Sequence, residues 1–253
     1  MFELHDVGLI LAPTLRSRAY IQMLAACGLR PAIALHIPGS EANWIGADTI
    51  DFTFESLPVR FTFQPRISAR QTVCSVGIES RNLAHRDINA PEVVRQIASL
   101  PVKVLVYSGL SKALLKDELL CQSKRFLHVH GGFVPGFRGA TAFYFGLLEH
   151  GLLGASAIWI DAGVDTGPLV MRDWYRPVPG VEIDRIMDPL ARAHLLARVL
   201  GHYARMGRFP TAAANEASET YFVIHPVLKH LALRRALPGA TKSSVSTAIQ
   251  STS

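Results

Sequence analysis

The sequence is poor in charge and lacks most marks of a specialised chain. Only 18% of its 253 residues are charged, against 49% hydrophobic, a balance that suits a globular protein with a sizeable core. Its 26 basic residues outnumber 20 acidic ones, giving a net charge of +6 and a sequence pI near 9.5. No run of five or six basic residues occurs, so an anionic partner is expected to be an acidic small molecule rather than nucleic acid. The aromatics are not interleaved with a basic groove either, which argues against a single-strand platform. No apolar run reaches eighteen residues, and no basic region leads into an apolar stretch at the start. Membrane insertion and secretion are therefore not expected, and the protein is expected to be cytoplasmic. Cys27, Cys74 and Cys121 are isolated, odd in number and without CxxC spacing, as expected for buried thiols in a reducing compartment. There is no internal repeat.

What the chain does contain is an alternation of strand and helix patterns. Residues 7–12 form a continuous apolar run, as in a strand buried on both faces. Residues 17–28 carry Tyr20, Ile21, Leu24 and Ala25 at helical spacing and close on Gly28. Residues 32–37 form a second apolar run, which completes a βαβ unit. The turn at 13–17 has no glycine, so it lacks a phosphate cradle; for Arg16 and Arg18 a solvated helix start is expected over contact with an anion. Residues 40–80 are the least periodic; alternation around Phe52, Phe54, Phe61 and Phe63 gives short strands or loops, with no function assigned. Asn89 is expected to cap a helix with Pro91 in its first turn and Val93, Val94 and Ile97 on its apolar face. A strand at 102–107, a loop at 108–112, a short helix at 113–120 and a strand at 126–130 follow. This is a doubly wound α/β pattern with a mostly parallel sheet, whose ligands sit beyond the carboxyl ends of strands. A strand at 155–160, an edge strand at 169–173 and a long helix at 183–200 come next, the helix carrying Ile183, Ile186, Leu190 and Ala193 on one stripe and Met187 in the core. Residues 220–233 are expected to pack back onto the domain. The expected organisation is an α/β domain over 1–180, a helical extension over 181–237 and a disordered tail over 238–253.

The chemistry concentrates between Leu127 and Val170. Residues two apart in a strand project to the same face, so His128 and His130 point the same way. A loop after a neighbouring strand can bring Asp165 against them. Two imidazoles and a carboxylate form an acid/base constellation; the same three groups are also a ligand set for zinc or ferrous iron.

The run from His128 to Gly139 (HVHGGFVPGFRG), followed by Asp161–Gly167 (DAGVDTG), resembles the formyltransferase family that uses 10-formyltetrahydrofolate. That family's motifs are Asn-x-His, a Pro-x-x-Arg-Gly loop and an Asp-x-Gly-x-Asp-Thr-Gly loop; here the last aspartate follows the histidine by 165 − 130 = 35 residues, as the resemblance requires. It is strong over residues 91–170 and weaker over 7–37. It implies that His130 and Asp165 are catalytic, His130 donating to the oxyanion of a tetrahedral intermediate while Asp165 tunes it and relays the proton. It implies that Gly109, Leu110, Ser111, Lys112 and Leu114 grip the pterin of a reduced folate, and that the loop with Asp161 and Gly163 closes over it. The co-substrate would be 10-formyltetrahydrofolate and the acceptor a small-molecule amine, an amino sugar or amino-acid derivative, with no metal. A homodimer is compatible with this. Lys112 is expected in solvent or at the folate's glutamate tail, Arg138 paired with a carboxylate, Asp161 capping backbone N–H groups, and Phe143, Tyr144 and Phe145 packing the core. The sequence departs from the pattern where His128 replaces the usual asparagine, standing in for its amide with a pH dependence, and where Gly131-Gly132-Phe133-Val134 occupies the family's His-x-Ser-Leu-Leu-Pro loop. The RNA-binding barrel of methionyl-tRNA formyltransferase is not evident, so a tRNA acceptor is not expected. The alternatives are hydrolysis of 10-formyltetrahydrofolate to formate, and a non-transferring protein that binds metal or folate through His128, His130 and Asp165.

Overall fold

The computed structural model describes residues 1–54, 60–110, 113–213 and 218–236. In chain order it contains β1 (Phe2–Leu11), α1 (Leu15–Ala26), β2 (Leu29–His36), β3 (Ile50–Phe52), β4 (Phe61–Phe63), α2 (Ala69–Ser75), β5 (Glu79–Asn82) and α3 (Pro91–Ala98). There follow β6 (Val104–Ser108), α4 (Asp117–Leu120), β7 (Arg125–His130), β8 (Arg138–Gly139), α5 (Ala142–His150), β9 (Leu153–Trp159) and β10 (Leu169–Tyr175). A π-helical turn (Ile183–Met187) runs into α6 (Asp188–Met206), and β11 (Thr220–Tyr221) and α7 (Pro226–Arg235) complete the described chain.

Seven strands form one sheet in the order β10-β9-β7-β6-β1-β2-β5. The strands from β7 to β5 are parallel neighbours, while β9 runs antiparallel to β7 and β10 antiparallel to β9. The period of two in each strand divides the side chains between two cores. Leu9, Leu11, Val104, Val106, Leu127 and Val129 face α1 and α6, whereas Ile10, Ile33, Leu35, Leu105 and Phe126 face α3 and α4. Apolar on both sides, these central strands read as continuous runs, which is why the sequence declares them.

Helix starts follow the capping rules only in part. Thr14 accepts the Ser17 N–H at the head of α1, and Gly28, at φ +65°, ends it. Asn89 does not cap α3: Ala90 holds that position with no side-chain bond. The Asn89 amide instead donates to the Leu114 carbonyl at 2.9 Å and accepts from the Lys116 N–H at 2.9 Å. This long-range use ties down the segment at 113–116, which is not helical; α4 begins only at Asp117.

Other expectations change as well. β1 starts at Phe2 because its first residues pair with β2, Phe2 opposite Leu29, before pairing with β6 begins at Val7, a one-sided start invisible in hydropathy. Neither Arg16 nor Arg18 is solvated. Arg18 is buried and bonds to Glu41 at 2.8 Å and to the Ala42 carbonyl at 2.7 Å, and Arg16 enters the site described below. Cys74 and Cys121 are exposed and Cys27 is half-buried. The aperiodic region contains the antiparallel pair β3–β4, whose Phe52, Phe61 and Phe63 join the core on the α1 side. Within residues 220–233, β11 pairs with β8. Phe222, Val223 and Val227 nevertheless remain exposed. Residues 237–253, including the expected tail, lie outside the described residues, and no described helix is long and apolar enough to cross a membrane.

Candidate active site

His128 and His130 leave β7 on the same side as Phe126 and line one cavity of about 400 Å³. Their loop is held from the neighbouring strand. Ser156 lies opposite His130 in the β7–β9 register, fully buried. Its hydroxyl donates to the Gly132 carbonyl at 2.8 Å and accepts the Val134 N–H at 3.0 Å.

Asp165 reaches His130 by an indirect route. Because β9 is antiparallel to β7, the end of β9 lies beside the start of β7, where Ile160 N–H bonds the Phe126 carbonyl. The 161–167 loop therefore folds back along the strand face instead of sitting beyond the carboxyl ends. Asp161 shapes that return, accepting the Gly163 N–H at 3.0 Å and the Thr166 hydroxyl at 2.7 Å. Asp165 itself adopts φ +54°, a left-handed conformation uncommon outside glycine and best tolerated by Asn and Asp. There its Oδ2 lies 3.2 Å from His130 Nδ1 and accepts the Gly139 N–H at 3.1 Å.

Gly139 must be glycine twice over. Its φ is +91°, and a Cβ would sit 2.3 Å from the Tyr221 carbonyl oxygen of β11. Among the described residues no carboxylate pairs with Arg138, which donates to the Thr220 hydroxyl at 3.0 Å. The Arg-Gly loop is thus held by a strand 220 − 138 = 82 positions downstream. Phe143 and Tyr144 are buried as expected, and Phe145 stacks on Tyr221 with ring centroids 4.2 Å apart.

The two histidines differ in their proton inventory. A carbonyl oxygen only accepts, so His130 Nε2, 3.1 Å from the Phe137 carbonyl, carries a hydrogen. The 3.2 Å contact with Asp165 is then a hydrogen bond only when a second proton lies between Nδ1 and the carboxylate. Burial holds the His130 pKa below its ordinary value, opposed by the Asp165 carboxylate and reinforced by Arg192. On His128, Nδ1 lies 3.2 Å from the Tyr107 carbonyl and carries the hydrogen. Burial, then Arg16 and Arg192, hold that imidazole well below its usual range.

Those two guanidiniums are the part of the site that sequence patterns missed. Arg16 bonds the Ser108 hydroxyl at 3.2 Å and the Gly109 carbonyl. Arg192 comes from α6 and pairs with Asp188 at 2.8 Å, both nearly buried. Gly131 makes room for this pair, since a Cβ there would lie 2.2 Å from Arg192 Nη2 and 2.5 Å from Asp188 Oδ1. Oppositely charged residues four apart on an otherwise apolar helix face were the available signal.

Of the other expected binding residues, Gly109, Leu110, Leu114, Asp161 and Gly163 all line the same cavity. Ser111 and Lys112 lie outside the described residues. The Tyr107 ring underlies this wall, its hydroxyl donating to the Ala113 carbonyl at 3.1 Å. His128, His130 and Asp165 each bring one potential ligand atom within 4.8 Å of the others, so a divalent transition ion fits them by donor type. Arg16 and Arg192 in the same cavity oppose a dication electrostatically.

Comparison with known proteins bears on this geometry. The family model described as formyl transferase matches residues 63–195, just over half of the chain. A methionyl-tRNA formyltransferase of Trichlorobacter lovleyi is 26% identical over 145 residues, 56% of this chain and 45% of that protein. One from Methylacidiphilum infernorum is 32% identical over 88 residues, covering 34% of this chain and 28% of its own. The chain thus spans less than half the length of these curated relatives. Among solved structures, a phosphoribosylglycinamide formyltransferase from Anaplasma phagocytophilum aligns with a TM-score of 0.56 at 11% identity, covering 87% of this chain and 99% of that one. A sugar N-formyltransferase from Shewanella sp. aligns at 0.51 and 15%, covering 91% and 87%. Both share the fold.

Proposed function

Because the chain belongs to the formyl transferase family, we propose that it transfers a formyl group from 10-formyltetrahydrofolate to the amine of a small molecule, an amino sugar or amino-acid derivative. The observation that carries this is the His130–Asp165 pair in a cavity walled by Gly109, Leu110, Ala113, Leu114 and Leu115. Attack of an amine on the formyl carbon builds negative charge on the formyl oxygen. His130 Nε2–H, held meanwhile by the Phe137 carbonyl, turns to that oxygen as charge develops, because a charged acceptor makes a bond roughly twice as strong as a neutral one. The Asp165 carboxylate favours the doubly protonated ring, in which Nδ1–H donates to Asp165 while Nε2–H faces the oxyanion. Arg16 and Arg192 supply a fixed positive field in a partly closed site, where it acts most strongly on an oxyanion. The same field favours an anionic acceptor.

Gly109, Leu110 and Leu114 would form the pterin wall, and the Asp161–Asp165 loop would lie over it. Hydrolysis is the competing outcome, with water in place of the amine. The test is product analysis with 10-formyltetrahydrofolate and a mixture of amino sugars and amino acids. An N-formylated amine with release of tetrahydrofolate supports the proposal, and formate alone assigns hydrolysis. Formylation of methionyl-tRNA in the same assay would overturn the small-molecule acceptor.

A further inference from the structure

We propose that His128 is the proton carrier of the transfer: its Nε2 takes the proton of the attacking amine and returns it to N10 of the departing folate. This rests on the formyl-transfer reading above and inverts the role expected of the residue at this position. An asparagine amide there donates a hydrogen bond to the oxyanion. His128 cannot do so in the observed geometry. Its one hydrogen, in the neutral ring, is committed through Nδ1 to the Tyr107 carbonyl of β6 at 3.2 Å, which leaves Nε2 as a lone pair. No described protein group bonds Nε2, and the ring lines the cavity. A lone pair repels an oxyanion and attracts an ammonium.

The surroundings keep it that way. Arg16 from α1, Arg192 from α6 and His130 on the same strand all oppose an imidazolium at His128, as does burial, and only the Tyr107 carbonyl favours it. The positive charge that the missing amide would have supplied in part comes instead from the guanidiniums, and Gly131 admits one of them. His128, Gly131 and Arg192 therefore act together, the glycine admitting the guanidinium that opposes protonation of the imidazole.

The step balances. The amine lone pair forms the new C–N bond, and the carbonyl π pair moves to oxygen, giving a tetrahedral species with an ammonium and an oxyanion. His128 Nε2 removes the ammonium proton; that proton is acidic enough for a weak base. The oxyanion then re-forms the carbonyl, the C–N10 bond breaks, and its electron pair on N10 takes the proton from the imidazolium. Acceptor amine and formyl-folate become formamide and tetrahydrofolate, and His128 ends neutral. A ring that resists protonation is a strong acid once protonated, as a poor leaving group such as N10 requires.

The test uses the whole protein labelled with ¹⁵N-histidine, with His128→Gln to assign the signals. Two-bond ¹H–¹⁵N spectra are expected to show His128 protonated at Nδ1 and bare at Nε2 from pH 8 to pH 6. A hydrogen on Nε2 at pH 7 overturns the proposal, whether or not a probe amine is turned over. Kinetics with 10-formyltetrahydrofolate and hydroxylamine as the probe amine give the second arm. His128→Asn, which puts back the amide, is expected to lose about 10²–10⁴ in kcat and to lose the acid-side fall of the pH profile, while 5-formyltetrahydrofolate still raises its Tm. An unchanged kcat in His128→Asn overturns the role. Absence of any folate effect on the wild-type Tm would instead sink the formyl-transfer reading itself, so the two failures are separable.

Discussion

Replacing Ser156 with alanine tests how the site is held. The side chain is fully buried on β9, and its hydroxyl serves two partners in the loop after His130, the Gly132 carbonyl at 2.8 Å and the Val134 N–H at 3.0 Å. Ser156→Ala removes a donor and an acceptor at once and leaves both loop groups without that partner. An unsatisfied buried group costs about 1–3 kcal/mol, with carbonyls tolerating it better than N–H groups. Losing the burial cost of the hydroxyl itself offsets part of this, so the net destabilisation is about 2–4 kcal/mol. At about 2–4 °C per kcal/mol for a chain of this class, the Tm falls by roughly 5–15 °C. The loop also carries the Phe137 carbonyl that orients His130, so turnover falls by up to about a hundredfold from displacement of the ring. Urea and thermal denaturation measure the first effect and steady-state kinetics the second. A variant with wild-type midpoint and kcat would refute the claim that this hydroxyl anchors the catalytic loop.

Three further outcomes follow from the geometry. Asp165→Asn keeps the side-chain shape but removes the carboxylate 3.2 Å from His130; kcat is expected to drop about 10²–10⁴-fold with folate affinity retained, and equal loss of folate affinity would reassign Asp165 to binding. Asn89→Ala releases the Leu114 carbonyl and the Lys116 N–H, so it is expected to weaken folate binding with a stability cost near 1–2 kcal/mol; calorimetric titration showing unchanged affinity would contradict a role for that segment. Buried His36 and His194 are both pulled down to about 4, chiefly by burial, with Arg70 and Arg198 adding to it respectively. The unfolded chain takes up protons on these rings near pH 6.5 and the folded one only near pH 4. Their stabilising contribution is therefore complete above pH 6.5 and lost as pH falls toward 4; equal urea midpoints at pH 7.5 and pH 5 would refute it.

The sequence revealed what local pattern encodes. The doubly wound sheet was legible because β1, β2 and β6 carry continuous apolar runs, and the meeting of His128, His130 and Asp165 was legible from strand period and loop chemistry. Contacts set by distant segments were not. Nothing near Arg138 announces a strand at Thr220–Tyr221, and Asn89 looked like a cap because its partners lie 25 and 27 positions away. Arg16 looked solvated because a helix start usually is, and only the tertiary closure of β6 against α1 turns it inward. Arg192 was hidden within a helix read as an apolar stripe, with Gly131, the residue that admits it, sixty-one positions earlier (192 − 131 = 61).

The central claim is that the cavity bounded by Gly109, His130 and Asp165 receives a reduced folate. The most direct measurement is the Tm of the whole protein with and without saturating 5-formyltetrahydrofolate, a stable analogue of the formyl donor. Ligand at a hundredfold over Kd adds about 2.7 kcal/mol, which corresponds to a rise of roughly 5–10 °C. A rise of that size, diminished in Asn89→Ala, is the predicted result. An unchanged Tm in folded protein would contradict the account.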